Sequence, residues 1–214
     1  MLYSGNQKYK LFVGHNRVRP VVDIVLPYDA EIEYLKGTGT QYINTGYVPK
    51  GNDVVIKGKF LLEGYTAAYG SWFGAYTNEA TNSYRIIRNN TNNTSIYYTG
   101  GTRANTSGTA TVALNNTYEF ELSYNKLVIN GTKRTHSGAA GTANAKELVL
   151  WTNNAHNGFS KGCFYYFQVY KNGVLVLDLI PVRVGNVGYM FDRMQNQLLG
   201  NAGSGDFILG NDLN

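Results

Sequence analysis

The sequence predicts an all-β protein built around one sandwich of antiparallel sheets, and three observations lead to this fold class. Short aromatic and β-branched runs alternate with Gly and Asn turns, most clearly in residues 161–207. No segment keeps a helical period over several turns. The length of 214 residues suits a single sandwich with a substantial core. We therefore expect one β-sandwich preceded by a short N-terminal element.

The first 30 residues form a predicted β-hairpin or docking segment. Gly-Asn turn signals separate two or three short strands in it. Pro20 and Pro27 bracket an edge strand or linker, since proline cannot donate to a sheet ladder. A unit of this size is too small to hold a core of its own. It must therefore pack on the domain of residues 31–214, on a second subunit or on another protein.

The rest of the chain is predicted as strands and turns. Residues 117–130 alternate, which places Tyr118, Phe120, Leu122 and Tyr124 on one face and Glu119, Glu121 and Ser123 on the other. The Asn-Gly steps at residues 130–131 and 172–173 predict tight primed turns. Residues 89–117 lack a long apolar run, so we expect loops around a short strand at residues 94–99. Cys163 is predicted as a small buried residue at a strand start.

Two sequence segments near the C-terminus resemble those of a known family. They are FYYFQVYKNGVLVLDLIPVR and GYMFDRMQNQLLGNAGSGDF, and YLKGTGTQYINTGYVP at residues 34–49 adds a third. The stretch from residue 31 to about 206 resembles the concanavalin A-like, laminin-G-like jelly-roll domains of phage virion proteins and gut-bacterial surface proteins. The resemblance implies a two-sheet jelly roll with a long inward-facing strand at residues 53–62. Residues 1–29 resemble the small β element that opens many phage tail and fibre proteins.

Composition and charge restrict the partners. Charged residues make up 15% of the chain, and the net charge of +5 is spread without a Lys/Arg run. We therefore expect no nucleic-acid partner. A single Cys excludes an internal disulfide. No signal-peptide pattern or membrane-length apolar stretch is present. We therefore expect that the protein is made in a host cytoplasm and does not insert into a membrane.

Catalytic and metal patterns are weak. Sandwich glucanases usually carry a Glu-x-Asp-x-(x)-Glu arrangement on one strand, which is missing. The pairs Glu31/Glu33 and Glu119/Glu121 are predicted as solvated residues. The three histidines lack ligand spacing, and no G-x-S-x-G elbow occurs. Calcium is a possible cofactor, and its candidate ligands, which do not cluster in sequence, are Glu79, Asp192, Asp206 and Asp212. We therefore expect that the protein is not an enzyme.

Two stretches combine aromatic, amide and cationic groups, which is the chemistry that binds sugars. The resemblance implies that their strands face each other across one sheet. The candidate glycan-binding residues are Trp72, Tyr76, Arg85, Trp151, Asn153, Asn154 and His156. The competing interpretation is that Trp72, Phe73 and Trp151 fill the core, while the other five candidates are exposed.

Two functional hypotheses compete at this point. In the first, the protein is a structural and binding component of a phage particle, such as a fibre, tail or capsid-decoration module. Residues 1–30 would dock it to other virion proteins, it would form a homo-oligomer, and its jelly roll would contact cell-surface glycans. In the second, it is a lectin-like carbohydrate-binding module of a bacterium, located at the cell surface or secreted. A glycoside hydrolase is a third, less favoured hypothesis.

Overall fold

The computed structural model describes residues 26–76, 83–88, 95–102, 108–124, 126–135, 146–156 and 158–213. These residues contain strands and turns only, which confirms the predicted all-β class. The strands are β1 (Ala30–Glu31), β2 (Leu35–Gly37), β3 (Ile43–Asn44), β4 (Val54–Tyr65), β5 (Ser71–Ala75), β6 (Ser83–Arg88), β7 (Ser95–Thr102), β8 (Gly108–Thr111), β9 (Asn116–Ser123), β10 (Lys126–Ile129), β11 (Thr132–Thr135), β12 (Val149–Leu150), β13 (Ser160–Lys171), β14 (Val174–Val184), β15 (Val187–Asp192), β16 (Gln197–Leu199) and β17 (Ile208–Leu209).

The strands form two antiparallel sheets that pack face to face. The large sheet has the order β11-β10-β9-β4-β13-β14-β15-β16, with β2 beside β13, β1 beside β14 and β17 beside β2. The short sheet has the order β3-β12-β5-β6-β7-β8. Neighbours that are distant in sequence, such as β4 and β13, show that the sheets are built by long crossings, as in jelly-roll sandwiches.

The core lies between the sheets and follows from strand alternation. In β4 every second side chain from Val54 to Leu62 is buried, which confirms the inward-facing strand predicted at residues 53–62. In β9, Tyr118, Phe120 and Leu122 are buried as predicted, whereas Tyr124 lies in the turn that follows. The inner faces of both sheets join in one continuous apolar cluster.

Bulges allow neighbouring side chains to share a face. The pairing of β5 with β6 shifts between Ser71 and Phe73, so Trp72 and Phe73 both enter the core. In β13 the shift between Phe164 and Tyr166 keeps Phe164 and Phe167 inside and leaves two tyrosines half-buried outside.

The predicted primed turns are present. Asn130 and Gly131 have φ values of 46° and 78°, and Asn172 and Gly173 have values of 50° and 75°. The prediction of loops over residues 89–117 was partly wrong. In the described part of this stretch, β7 is longer than the predicted strand, and β8 pairs with it. Alternation was hidden there because Thr and Gly occupy many of the positions.

The described chain begins on the outer face of the large sheet. Leu26 and Tyr28 pack with Ile180, Val182 and Phe191, and the rings of Tyr28 and Phe191 are 4.9 Å apart. β1 then pairs with β14, close to the other end of the chain. There the Leu213 N–H donates to the Glu31 carbonyl at 2.8 Å. Most of the predicted docking segment, residues 1–25, lies outside the described residues.

Two further sequence predictions concern the burial of Cys163 and membrane-spanning segments. Cys163 is 2% exposed within β13, and its predicted burial is confirmed. Burial raises the pKa of its thiol to about 12. Among the described residues, no helix is long and apolar enough to cross a membrane.

Candidate functional site

Trp72 lies in the core and offers no ring face to a ligand. Its side chain is fully buried, with ring centroids 5.3 Å from Phe60 and 5.4 Å from Tyr118. The indole N–H donates to the hydroxyl of Tyr65 at 3.1 Å. Burial raises the pKa of Tyr65 well above its usual value, so that hydroxyl stays protonated. Of the two roles considered for Trp72, the structure shows the packing role.

Trp151 is also a core residue. It is fully buried, edge-on to Phe164 at 4.8 Å and 4.8 Å from Phe207. Its indole N–H donates to the Gly162 carbonyl at 2.9 Å. Its φ of 65° turns the chain out of β12 into the loop that leads to β13. Trp151 therefore anchors the start of that loop in the core.

The outer face of the short sheet carries the remaining candidates. Pairing of β5 with β6 and β12 places Gly74 between Arg85 and Val149 on this face. The strands of the two candidate stretches are therefore hydrogen-bonded neighbours in one sheet. A Cβ on Gly74 would lie 2.8 Å from the Cβ of Asn153. The missing side chain thus leaves space for the β12–β13 loop to lie against the sheet.

The β12–β13 loop, of which residues 151–156 and 158–159 are described, is held by its own hydrogen bonds. The Thr152 hydroxyl donates to the Gly158 carbonyl at 2.8 Å and closes the neck of the loop. Asn153 donates through Nδ2 to Ser71 Oγ and accepts from the Ala155 N–H, both at 2.9 Å. Asn153 is only 1% exposed. It was expected at the surface, but it is an internal anchor because its amide bonds within the fold.

Asn154, Tyr76 and Arg85 form one side of the loop. Asn154 accepts from the Tyr76 backbone N–H at 2.9 Å and donates to the Glu147 carbonyl at 2.8 Å. The Arg85 guanidinium lies over the Tyr76 ring, 4.0 Å from its centroid. This is a close cation–π contact. All three candidates are half-buried, so part of each remains exposed at this side of the loop.

His156 forms the other side of the loop and brings in two residues that the sequence analysis missed. Its exposed ring lies 4.5 Å from the ring of Tyr42, which is 6.4 Å from that of Phe159. Tyr42 stands beside the buried Ile43, and strand alternation there is a weak signal for an outward-facing ring. No sequence signal links Phe159 to it. The structure thus gathers five of the seven candidates around the loop.

The predicted acidic pairs are not brought into a site. Glu119 is exposed, and Glu121 pairs with Lys126 at 2.8 Å and Lys57 at 3.2 Å. The hydrogen bond from Lys126 is the main cause that lowers the pKa of Glu121. Glu33 accepts from the side chain of Asn211 at 3.0 Å. These carboxylates act as surface partners in the large sheet.

Two of the calcium candidates have partners within the fold. Asp192 is buried and accepts from the Met194 N–H at 2.9 Å, while Asp212 binds the guanidinium of Arg183. Glu79, His15 and His136 lie outside the described residues. Within the part of the chain that the structure describes, no group of three His, Cys, Asp or Glu residues could hold a metal ion.

The outer face of the large sheet carries a second set of tyrosines. Lys57 lies 5.2 Å from the ring centroid of Tyr170, and Lys59 lies 5.1 Å from that of Tyr165. These rings are on the opposite side of the sandwich from the β12–β13 loop. They are therefore suitable positions for control substitutions.

Among solved structures, the fold of this chain has similar counterparts. No family model and no curated protein matches the sequence. The structure is similar to that of a candidate carbohydrate binding protein from Bacteroides ovatus, with a TM-score of 0.57 and 11% sequence identity. The similarity covers 84% of this chain and 60% of that chain, so this protein spans about three fifths of its neighbour. At this identity the similarity shows a shared fold.

Proposed function

We propose that this protein is a non-catalytic glycan-binding module. Its binding surface is the outer face of the short sheet beside the β12–β13 loop. The observation that carries the proposal is the presence of partly exposed aromatic residues on both sides of one anchored loop. Half-buried Tyr76 lies under Arg85 on one side, and exposed His156 lies beside Tyr42 on the other. Sugars stack their C–H faces on such rings and bond their hydroxyls to polar side chains.

The anchoring of the loop supports the proposal energetically. Asn153 and Asn154 hold the loop through their amides, so little conformational freedom is lost when a ligand binds. The Bacteroides ovatus neighbour supports it through its name and shared fold. A binding role without catalysis also agrees with Glu121 and Asp192, whose carboxylates are engaged in structural contacts.

A glycan array followed by isothermal titration of the best ligand tests the proposal. Tyr76→Ala removes the ring below Arg85 and should weaken binding about three- to tenfold, in line with about 0.5–1.5 kcal/mol for an aromatic contact. Tyr170→Ala, on the opposite face, is the matched control and should bind as the parent does. Absence of any bound glycan, or equal losses in both variants, would refute the proposed site.

Attachment to a larger assembly is a second proposal, favoured by the place where the chain enters the fold. Leu26 and Tyr28 pack on the outer face of the large sheet, opposite the proposed glycan surface. A partner that holds the part of this segment before Leu26, either a second copy or a phage-particle protein, would leave the proposed glycan surface free. Light scattering of the full chain and of a chain starting at Leu26 tests this proposal. Loss of an oligomer on truncation supports attachment through this segment, and equal monomeric masses contradict it.

A further inference from the structure

Three rings from separate parts of the chain meet at the surface beside the β12–β13 loop. Tyr42 precedes β3, His156 lies in the loop, and Phe159 precedes β13. The centroid of Tyr42 is 4.5 Å from that of His156 and 6.4 Å from that of Phe159. We refer to these three residues as the aromatic platform. Its rings are exposed or half-buried, in contrast to the two tryptophans below the loop.

Backbone hydrogen bonds fix the main chain at Tyr42 and Phe159. The Tyr42 N–H donates to Asn201 Oδ1 at 3.2 Å, and the Tyr42 carbonyl accepts from the Ala202 N–H at 2.9 Å. The Phe159 carbonyl accepts from the Thr66 N–H at 2.9 Å, and the Phe159 N–H donates to Thr66 Oγ1 at 2.9 Å. The main chain that carries both rings is thus fixed before any ligand arrives, which reduces the entropic cost of binding.

His156 adds a polar group to the platform. Its φ of 49° is in the left-handed region, and its N–H donates to the Asn153 carbonyl at 3.0 Å. This turn directs the imidazole towards Tyr42. Within the described residues the imidazole nitrogens make no hydrogen bond, and the side chain is exposed. They can therefore bond to hydroxyl groups of a ligand.

We propose that the aromatic platform binds one pyranose ring of an uncharged glycan. A C–H face of the sugar packs against these rings, whose planes are inclined to that of Tyr42 by 40° for His156 and 44° for Phe159. A sugar hydroxyl bonds to the imidazole of His156. This inference rests on the proposed function and adds the subsite and the chemical class of its ligand. Tyr42 and Phe159 are uncharged rings, so an apolar C–H face is the complementary surface. A carboxylate placed against these two rings would lose hydration without a compensating contact from either of them.

Two substitutions remove platform rings without a large effect on folding. His156→Gly suits the left-handed backbone at this position, and Tyr42→Ala shortens a half-buried side chain. Tyr42→Phe keeps the ring and is the conservative control. The probes are the methyl glycosides of galactose, glucose and mannose, followed by the best glycan from the array. Saturation-transfer NMR measures which sugar protons face aromatic side chains, and titration measures the affinity.

We expect Tyr42→Ala and His156→Gly each to weaken binding about tenfold, while Tyr42→Phe and Tyr170→Ala bind as the parent does. Saturation should be strongest on the protons of one C–H face of the sugar. Unchanged affinity in Tyr42→Ala and His156→Gly would overturn the platform. If Tyr76→Ala still weakened binding in that case, the proposed function would stand and only the subsite would be wrong. If no probe and no array glycan bound the parent, both proposals would fail.

Discussion

Replacement of Trp151 by Phe separates a packing role from a ligand-binding role. The substitution removes the indole N–H that bonds to the buried Gly162 carbonyl. A buried group left without its partner costs about 1–3 kcal/mol. The smaller ring also leaves a cavity beside Phe164 and Phe207, and full truncation of a buried aromatic costs about 3–5 kcal/mol. We expect the free energy of unfolding to fall by about 2–4 kcal/mol in total.

The assay combines urea unfolding, followed by circular dichroism, with glycan titration at a temperature where the variant is fully folded. The dissociation constant should stay within about twofold of the parent value, because Trp151 has no exposed surface. Trp72→Phe is the matched comparison, since its lost N–H partner is the hydroxyl of another side chain, the half-buried Tyr65, and not a buried backbone carbonyl. A stability loss below about 1 kcal/mol for Trp151→Phe, or a weakened affinity in the folded variant, would refute the packing argument.

Three further outcomes are expected. Gly162→Ala should lower the free energy of unfolding by more than about 3 kcal/mol in denaturant titration, because φ is 147° and the new Cβ would overlap the Leu61 carbonyl oxygen. The Cys163 thiol, with its pKa raised to about 12, should resist iodoacetamide at pH 8 and react only in urea; alkylation of the native protein would contradict this. Two lysines lower the pKa of Glu121, so its stabilisation is present above its ordinary value of 4.5 and is lost as pH falls through the folded pKa. Glu121→Gln should therefore cost less than about 1 kcal/mol at pH 7. This cost should decrease as pH falls below 4.5, and a cost that did not change with pH would be inconsistent with that ion pair.

Much of the fold could be predicted where residue type and strand period agree. The alternation over residues 117–123 identified the buried side of β9, and the Asn-Gly steps marked two primed turns. These signals are local, so a single sequence contains them. The bulge in β5 gives no comparable signal. Trp72 and Phe73 are adjacent, and strict alternation would place one of them outside.

The site was only partly predictable because its geometry depends on distant segments. The amide-rich loop after β12 was recognised from its composition, but the burial of Asn153 depends on Ser71 and on the absent side chain of Gly74. Tyr42 reaches His156 only because β3 pairs with β12. Non-local pairing of this kind leaves no mark near either residue.

The closeness of the first and last described strands has a consequence for engineering. Leu213 bonds to Glu31, and Ile32 forms a bridge with Asp212, so the two ends of the described fold meet at one edge of the large sheet. A short linker between these ends would not have to cross the sandwich. New termini could then be opened at the exposed Asn172-Gly173 turn, which lies in another hairpin. The order of the strands along the polypeptide is therefore separable from their arrangement in space. A circular permutant should keep the proposed glycan-binding surface intact.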